Sequence, residues 1–530
     1  MENIRYIVAS MILIILAILK QIHIMQLNSY NLDQQIIWYK KNFASFILNI
    51  VLLISAILFY ELRFIPAFYL IVLSMLSVFI ENMPRKQKKK LVFTARIKRL
   101  VGVCLLLFAV LLVPLIMKGS DNIKYVLYVT ALSPLVIFIA YLICLPIENS
   151  IRKKFMNEAK AIIDANSDLC VIGITGSFGK TSVKYYLDRI LISKYSVCKT
   201  PESFNTAMGA TLTIKNDLRN IDDIFICEMG ARRVGDIKEI CDIVSPNATI
   251  VTDVGNMHLD TFKTIENVIN TKFELVESVV KNNKSCKFGK IPILLNGDNQ
   301  LIRKKVIETF GITEQKYIKY YGLNPSDNSL YDFYADNIVY SATGARFKFN
   351  SNAFGSETFE TKLLGKYNIM NLVAAISYSL ILGIDMPTIK SIVKGIEAVP
   401  HRLQILLYGA NDLIIDDAYN SNPLGARNAV DVLSSFDGYT KVIITPGMVE
   451  LNDRQDEENE KFAEYAGDKV DYAIVVGHTN KLALDRGFEK ILSKDKLFNR
   501  ERVEDAISYA MTNISGKKVI LLENDLSDNY

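Results

Sequence analysis

The chain has 530 residues, half of them hydrophobic and 22% charged, with a mean hydropathy of +0.20. That is too long for one compact domain, too apolar for a wholly soluble enzyme and too hydrophobic for disorder. The formal charge of +5 is unevenly placed: residues 1–150 hold 15 Lys and Arg against 6 Asp and Glu, and the remainder holds 46 against 50. A basic excess confined to the apolar third fits membrane flanks and argues against a nucleic-acid groove. Cys104, Cys144, Cys170, Cys198, Cys227, Cys241 and Cys286 stand singly. Their spacing suits neither a zinc finger nor a disulfide scaffold, and it fits a reducing compartment.

Apolar runs lie near 4–19, 42–60, 64–80, 100–117 and 125–147. A helix needs about 20 apolar residues to cross a bilayer, so residues 1–150 read as a transmembrane module of four to five spans. The first run is short and is broken by Lys20 and His23, which leaves its spanning open. Arg85, Lys86, Lys88, Lys89, Lys90, Arg96, Lys98 and Arg99 lie between two runs, and Arg152, Lys153 and Lys154 follow the last. Cations gather on the cytoplasmic side of spans, so the polar remainder is expected in the cytoplasm.

From about residue 168 short β-rich runs alternate with helical stretches, which predicts α/β layering. Val171-Ile172-Gly173-Ile174-Thr175-Gly176-Ser177-Phe178-Gly179-Lys180-Thr181 reads as a strand, a Gly-rich turn and a helix start. Backbone N–H groups in such a turn cradle phosphates; Lys180 would neutralise them and Thr181 would hold Mg2+. The strict phosphate-loop pattern has Gly where this chain has Ile174, so a Gly-rich turn without a ligand is the competing reading. Glu228 ends the apolar run 224–227, at the strand tip where open α/β sheets bind ligands. It is either a Mg2+ ligand or an exposed strand-end carboxylate. His258 follows the run 249–254 and is either a metal or phosphate ligand or a structural histidine. Lys272, within Asn270-Thr271-Lys272-Phe273-Glu274, reads on pattern alone as a solvated helical lysine.

Together these segments resemble the Mur ligases, in the same order. Gly173–Thr181 is followed by Phe204-Asn205-Thr206-Ala207-Met208-Gly209, Glu228-Met229-Gly230-Ala231, Asn256-Met257-His258-Leu259 and Lys272-x-Glu274. Leu364-Gly365-Lys366-Tyr367-Asn368-Ile369-Met370-Asn371, His401-Arg402 and Asp416-Asp417-Ala418-Tyr419-Asn420-Ser421-Asn422-Pro423 complete the set. The last segment and Glu-Met-Gly-Ala look most like the branch that adds D-alanyl-D-alanine to a muramyl tripeptide. The resemblance covers roughly 168–530. It implies an ATP-dependent amide ligase that activates a carboxylate as an acyl phosphate for attack by an amine.

What the resemblance implies for single residues is specific. Gly176, Ser177, Gly179, Lys180 and Thr181 would hold the phosphates of ATP. Thr181, Glu228 and His258 would serve Mg2+, and Lys272 matches the lysine that CO2 converts to a carbamate, here a support for a second metal. Asn368 and Asn371 match asparagines on the adenine side, although Tyr367 stands where the family usually has His. Arg402 matches the arginine that reaches the γ-phosphate, and Asp416 or Asp417 an aspartate near the nucleotide. Asn205, Thr206, Tyr419, Asn420 and Asn422 would line the substrate side.

Pro400 marks a hinge, giving expected domains of 1–150, 151–399 and 400–530. Strands near 413–415, 441–444, 472–476 and 518–522 suggest a small Rossmann-like C-terminal sheet. The acidic tail 523–530 is either a frayed end or a substrate-facing edge. The family's UDP-sugar domain finds no counterpart, because apolar runs occupy its place. The expected protein is therefore a multi-pass ligase of a bacterial cytoplasmic membrane. It would act on a carboxylate-bearing envelope precursor, lipid-linked or not, and an amino acid or dipeptide, with membrane lipids and no nucleic acid as partners. Competing readings are a ligase for a poly-amino-acid capsule or surface polysaccharide, and a non-catalytic ATP-binding scaffold or transporter component.

Overall fold

The computed structural model describes residues 2–41 except 29 and 31, parts of 51–74, 91–117, and 123–525. Within that last stretch 202–203, 256, 258, 283–285, 311–316, 342, 409–411, 419–421 and 450 are not described. The chain divides into two compact units, Met1–Lys154 and Phe155–Tyr530.

The first unit is helical. Among the described residues, three helices are long and apolar enough to cross a membrane: Ile7–Leu27, Ala95–Pro114 and Ser133–Ala165. The runs 42–60 and 64–80 fall largely outside the described residues. The run 125–147 is not one helix. It splits at Leu132 into Ile123–Ala131 and Ser133–Ala165, because Pro134 lacks the N–H that an unbroken helix would use. The second of these continues past the expected boundary at 150, since 151–165 contains no Gly or Pro to stop it. Arg99 grips Glu148 with two hydrogen bonds of 2.6 and 2.9 Å, and the Arg96 guanidinium lies 3.9 Å from the centroid of Tyr30. These contacts pin the helices together near their charged ends.

The second unit opens with a nine-stranded sheet. Its strands are β1 (Cys170–Thr175), β2 (Val197–Lys199), β3 (Ile224–Met229), β4 (Ala248–Val251), β5 (Ile293–Asn296), β6 (Ile318–Leu323), β7 (Phe333–Ser341), β8 (Gly344–Ser351) and β9 (Gly355–Thr361). The order is β2-β3-β1-β4-β5-β6-β7-β8-β9; neighbours are parallel as far as β7 and antiparallel beyond it. β1, β3, β4 and β5 are buried along their whole length, as strands covered on both faces must be.

Alternation assigns the faces. Ile172, Ile174, Ile224 and Ile226 join the core under the helix Lys180–Leu191, with Val183, Tyr186, Leu187 and Ile190. Val171, Phe225, Cys227 and Met229 join the opposite core, with Phe273, Leu275 and Val276 of the helix Ile265–Lys281. Glu228 has the parity of Ile226, so it rises on the face of the Lys180 helix.

The C-terminal sheet has β10 (Gln404–Tyr408), β11 (Asp412–Asp417), β12 (Thr440–Thr445), β13 (Tyr472–Val476), β14 (Leu497–Arg500) and β15 (Lys518–Glu523), in the order β10-β11-β15-β12-β13-β14. Only β10 runs antiparallel to its neighbour. Alternate residues feed two cores, Ile415, Ile443 and Leu521 on one face and Ile414, Ile444 and Ile520 on the other. The tail is tied down at its start: Glu523 accepts a 2.6 Å hydrogen bond from the Thr445 hydroxyl, and Asn524 donates to the Gly447 carbonyl.

Candidate functional site

The turn after β1 has a shape that only glycine permits at two points. Gly176 has φ +152°, and a Cβ there would stand 2.1 Å from Thr252 Oγ1. Gly179 has φ +81°, and its Cβ would stand 2.3 Å from Asn371 Oδ1. Gly179 also precedes the first turn of the Lys180 helix and brings no side-chain cap to it. The N–H groups of that turn are therefore offered to a ligand. Ser177 fastens the turn from below, its N–H donating to Asp253 O at 2.6 Å while its hydroxyl meets Gly255. Lys180 Nζ folds back onto the carbonyls of Gly176 and Ser177 at 2.8 and 3.2 Å. Burial lowers its pKa to about 8; Arg402 adds to the lowering and Glu228 opposes it.

Glu228 is buried at the tip of β3, and its two oxygens have different partners. Oε1 accepts from Thr181 Oγ1 at 3.0 Å and from Asn205 Nδ2 at 3.4 Å. Oε2 faces Lys184 Nζ at 2.9 Å, in an ion pair with both side chains almost fully buried. The backbone N–H of Glu228 donates to Thr200 Oγ1. Lys184 does not stand out in the sequence, although it lies one helical turn beyond Lys180 and three residues past Thr181, on the face that meets β3. A carboxylate and a hydroxyl side by side are hard oxygen donors beside a Gly-rich turn that offers N–H groups. Mg2+ takes one or two carboxylates and fills its remaining positions with phosphate and water, so the residues fit it. Among the described residues no group of three or more His, Cys, Asp or Glu side chains is arranged to hold a metal ion. His258 lies outside them.

Lys272 reaches the same strand tips from the opposite face. Its helix comes close because Gly173 has no side chain: a Cβ there would stand 2.6 Å from Leu275 Cδ1. Lys272 is buried, not solvated. Burial first, and then the charge on Lys180, lower its pKa to about 7, with Asp236 and Glu274 opposing. A large fraction of this amine is thus unprotonated at neutral pH. Glu274 acts locally. Its carboxylate accepts from the N–H groups of Gly235 and Lys238 at 2.9 and 2.8 Å, anchoring the first turn of the helix Asp236–Val244.

Arg402 stands between two residues in the left-handed region, His401 at φ 60° and Leu403 at φ 51°. His401 Nδ1 meets Asp416 Oδ2 at 2.7 Å, and Asp417 Oδ1 accepts from Leu403 N at 3.2 Å. The aspartates at the end of β11 thus clamp the segment that carries Arg402. Arg402 is near enough to be felt by both Lys180 and Asp417. Burial raises the Asp417 carboxyl to about 6 against the pull of Arg402.

The other candidates divide. Asn368 Oδ1 accepts from the Tyr186 hydroxyl at 2.8 Å and its Nδ2 donates to Leu364 O at 3.0 Å, while Asn371 lies against Gly179. Thr206 caps the helix Ala207–Asn216 through Gly209 N, and Asn422 caps Pro423–Ser434 through Leu424 N and Gly425 N. Asn205 donates to Glu228 Oε1. Tyr419 and Asn420 lie outside the described residues. The segment Asn296-Gly297-Asp298-Asn299 joins the site without having been expected there: Asn299 Nδ2 bridges Asp253 Oδ1 and Val254 O beside the phosphate turn. A polar run directly after an apolar strand is its signal in the sequence.

A model of the Mur ligase middle domain matches residues 174–378, and one of the Mur ligase glutamate ligase domain matches 401–523. The chain belongs to the Mur ligase family. Mur ligases are ATP- and Mg2+-dependent enzymes that form C–N bonds, and this Mur ligase is one of them. It is 27% identical over 355 residues to the UDP-N-acetylmuramoyl-tripeptide--D-alanyl-D-alanine ligase of Bacillus subtilis (strain 168), covering 67% of this chain and 72% of that protein. With the enzyme of that name from Escherichia coli (strain K12) it is 28% identical over 281 residues, covering 53% and 58%. Among solved structures, MurF from Acinetobacter baumannii matches with a TM-score of 0.61 at 22% identity, over 71% of this chain and 77% of that one. The MurF ligase from Thermotoga maritima, in complex with ADP, matches at 0.59 and 24% identity, over 70% and 80%. These structures share the fold of the second unit.

Proposed function

We propose that this Mur ligase works in peptidoglycan synthesis at a bacterial cytoplasmic membrane, adding a dipeptide such as D-alanyl-D-alanine to a UDP-muramyl tripeptide or a related envelope precursor. Its apolar N-terminal helices would hold it at the bilayer with the second unit in the cytoplasm. The reading rests above all on the convergence at the tips of β1 and β3 of the Gly176–Lys180 turn, the Thr181–Glu228 oxygen pair and the buried Lys272. The activity of the Bacillus subtilis relative supplies the substrates.

The acceptor carboxylate would attack the γ-phosphorus of ATP, giving an acyl phosphate and ADP. The amine would then attack the acyl carbon, and the amide, phosphate and a proton would leave. Both partners in the first step are anions, so the residues have chiefly to screen charge. Bound Mg2+ would supply part of that screening. Lys180 would turn its ammonium from the loop carbonyls to the phosphates, whose anionic oxygens favour its charged form. Arg402 would bring a planar, two-pronged cation to the transferring group. Lys272, poised as an amine near neutrality, would take up CO2 as a carbamate and add a carboxylate to the site. Membrane attachment would raise the effective concentration of enzyme near a lipid-linked acceptor.

The test uses the full chain in detergent with Mg-ATP, UDP-muramyl tripeptide and D-alanyl-D-alanine. ADP release together with the joined product by mass spectrometry is the expected result. Release only when membrane extract replaces the soluble acceptor would move the substrate to a lipid-linked or polymeric precursor, as in decoration of a capsule or surface polysaccharide.

A further inference from the structure

The two oxygens of Glu228 have separate roles. Oε1 points to Thr181 and Asn205, which leaves it on the side of the phosphate turn. Oε2 is covered by the Lys184 ammonium at 2.9 Å, in a pair that water barely reaches. Lys184 projects from the same helix as Thr181, and Val183, Tyr186 and Leu187 pack that helix into the core. The ammonium therefore cannot easily move off its oxygen.

A cation arriving at this carboxylate meets Oε1 beside Thr181 and Asn205, and finds Oε2 facing an ammonium that repels it. Divalent ions differ in what they ask of such a group. Mg2+ demands near-octahedral geometry with short bonds and is content with single oxygens. Ca2+ is larger, takes six to eight ligands and gains from carboxylates that present both oxygens. We propose that Lys184 is a metal-selectivity residue: by occupying Glu228 Oε2 it restricts the carboxylate to one-oxygen coordination and so favours Mg2+ over Ca2+. Lys184 acts through Glu228 and is a positioning residue. The proposal rests on Glu228 being the metal-side carboxylate and on nothing about the acceptor or the amine.

A ratio isolates this effect. Removing the Lys184 charge alters the field felt by any divalent ion, but Mg2+ and Ca2+ carry the same charge, so the change largely cancels between them. The denticity of the carboxylate does not cancel. The experiment is calorimetric titration of MgCl2 and of CaCl2 into the full-length protein saturated with ADP, without turnover. The wild type is expected to prefer Mg2+ over Ca2+ at least tenfold more strongly than free ADP does. Lys184→Met, which keeps most of the stem, is expected to lose at least tenfold of that preference, and Lys184→Arg to retain it. Glu228→Gln is expected to weaken both ions.

An unchanged Mg2+/Ca2+ ratio in Lys184→Met, or a parallel loss of both ions, overturns the proposal; the parallel loss is what a purely structural role would give. If Lys184→Met fails to fold, the wild-type measurement still decides, because a preference no greater than that of free ADP overturns it alone. If Glu228→Gln binds both ions as the wild type does, Glu228 is not the metal-side ligand and the proposal falls with that assignment. None of these outcomes depends on which acceptor the enzyme uses.

Discussion

Gly173 and Leu275 are packed so closely that no side chain fits between them: a Cβ on the glycine would stand 2.6 Å from Leu275 Cδ1. Two parts of the site depend on this contact, since Leu275 is three residues from Lys272 on one helix and Gly173 opens the run into the phosphate turn. Gly173→Val is expected to push the helix Ile265–Lys281 outward and cost about 1–3 kcal/mol, as overpacked cores do. The checks are a lowered melting temperature and a fall in ligase rate larger than the fall in ADP affinity.

Lys180→Ala removes the cation of the phosphate turn. We expect turnover to drop by at least about 10²-fold, the scale seen when one preorganised charge or donor is removed from a transition state. ADP release measured under saturating Mg-ATP tests this, and a variant with full activity would contradict the phosphate role of Lys180.

At Gly179 the left-handed backbone and the nearby Asn371 oxygen act together. Gly179→Ala is expected to cost about 1–2 kcal/mol in backbone strain alone and to weaken nucleotide binding. Asn371→Ala, made alongside, relieves the contact but not the strain, so the double variant should recover ADP affinity only in part. Calorimetric ADP titration of the two single variants and the double variant separates the effects.

Lys272→Ala should depress the ligase rate strongly, and short carboxylates such as formate or acetate should restore part of it by standing in for the carbamate. Failure of every small carboxylate to rescue the variant would count against carbamylation. Removal of bicarbonate should slow the wild type and leave Lys272→Ala unaffected.

A topology reporter fused after residue 165 tests the placement of the second unit. A cytoplasmic signal is expected from the cations at 152–154 and 85–99. An external signal would overturn the orientation.

The fold of the second unit is legible in the sequence where physics is local. Continuous apolar runs mark the parallel strands, and the Gly-rich turn marks the helix start at Lys180. Lys184 lies just beyond the motif and escapes notice there, although strand parity sets Glu228 on the face of the Lys180 helix and helical spacing brings Lys184 to it. Lys272 looks solvated in the sequence because its burial depends on Gly173, about a hundred residues away. Thr206 and Asn422 stand out as polar residues within motifs, and each caps a helix. The break at Leu132 turns on one proline inside an apolar run, which a hydropathy window averages away.

The buried pair of Lys184 and Glu228 also bears on how this sequence is free to drift. Losing either partner alone strands a charge in the interior, which in buried pairs costs about 3–5 kcal/mol, a large part of a domain's stability. Neither charge is then readily lost by itself. A lineage can leave this solution only by altering both sites nearly together, so the two positions are expected to be inherited as a unit.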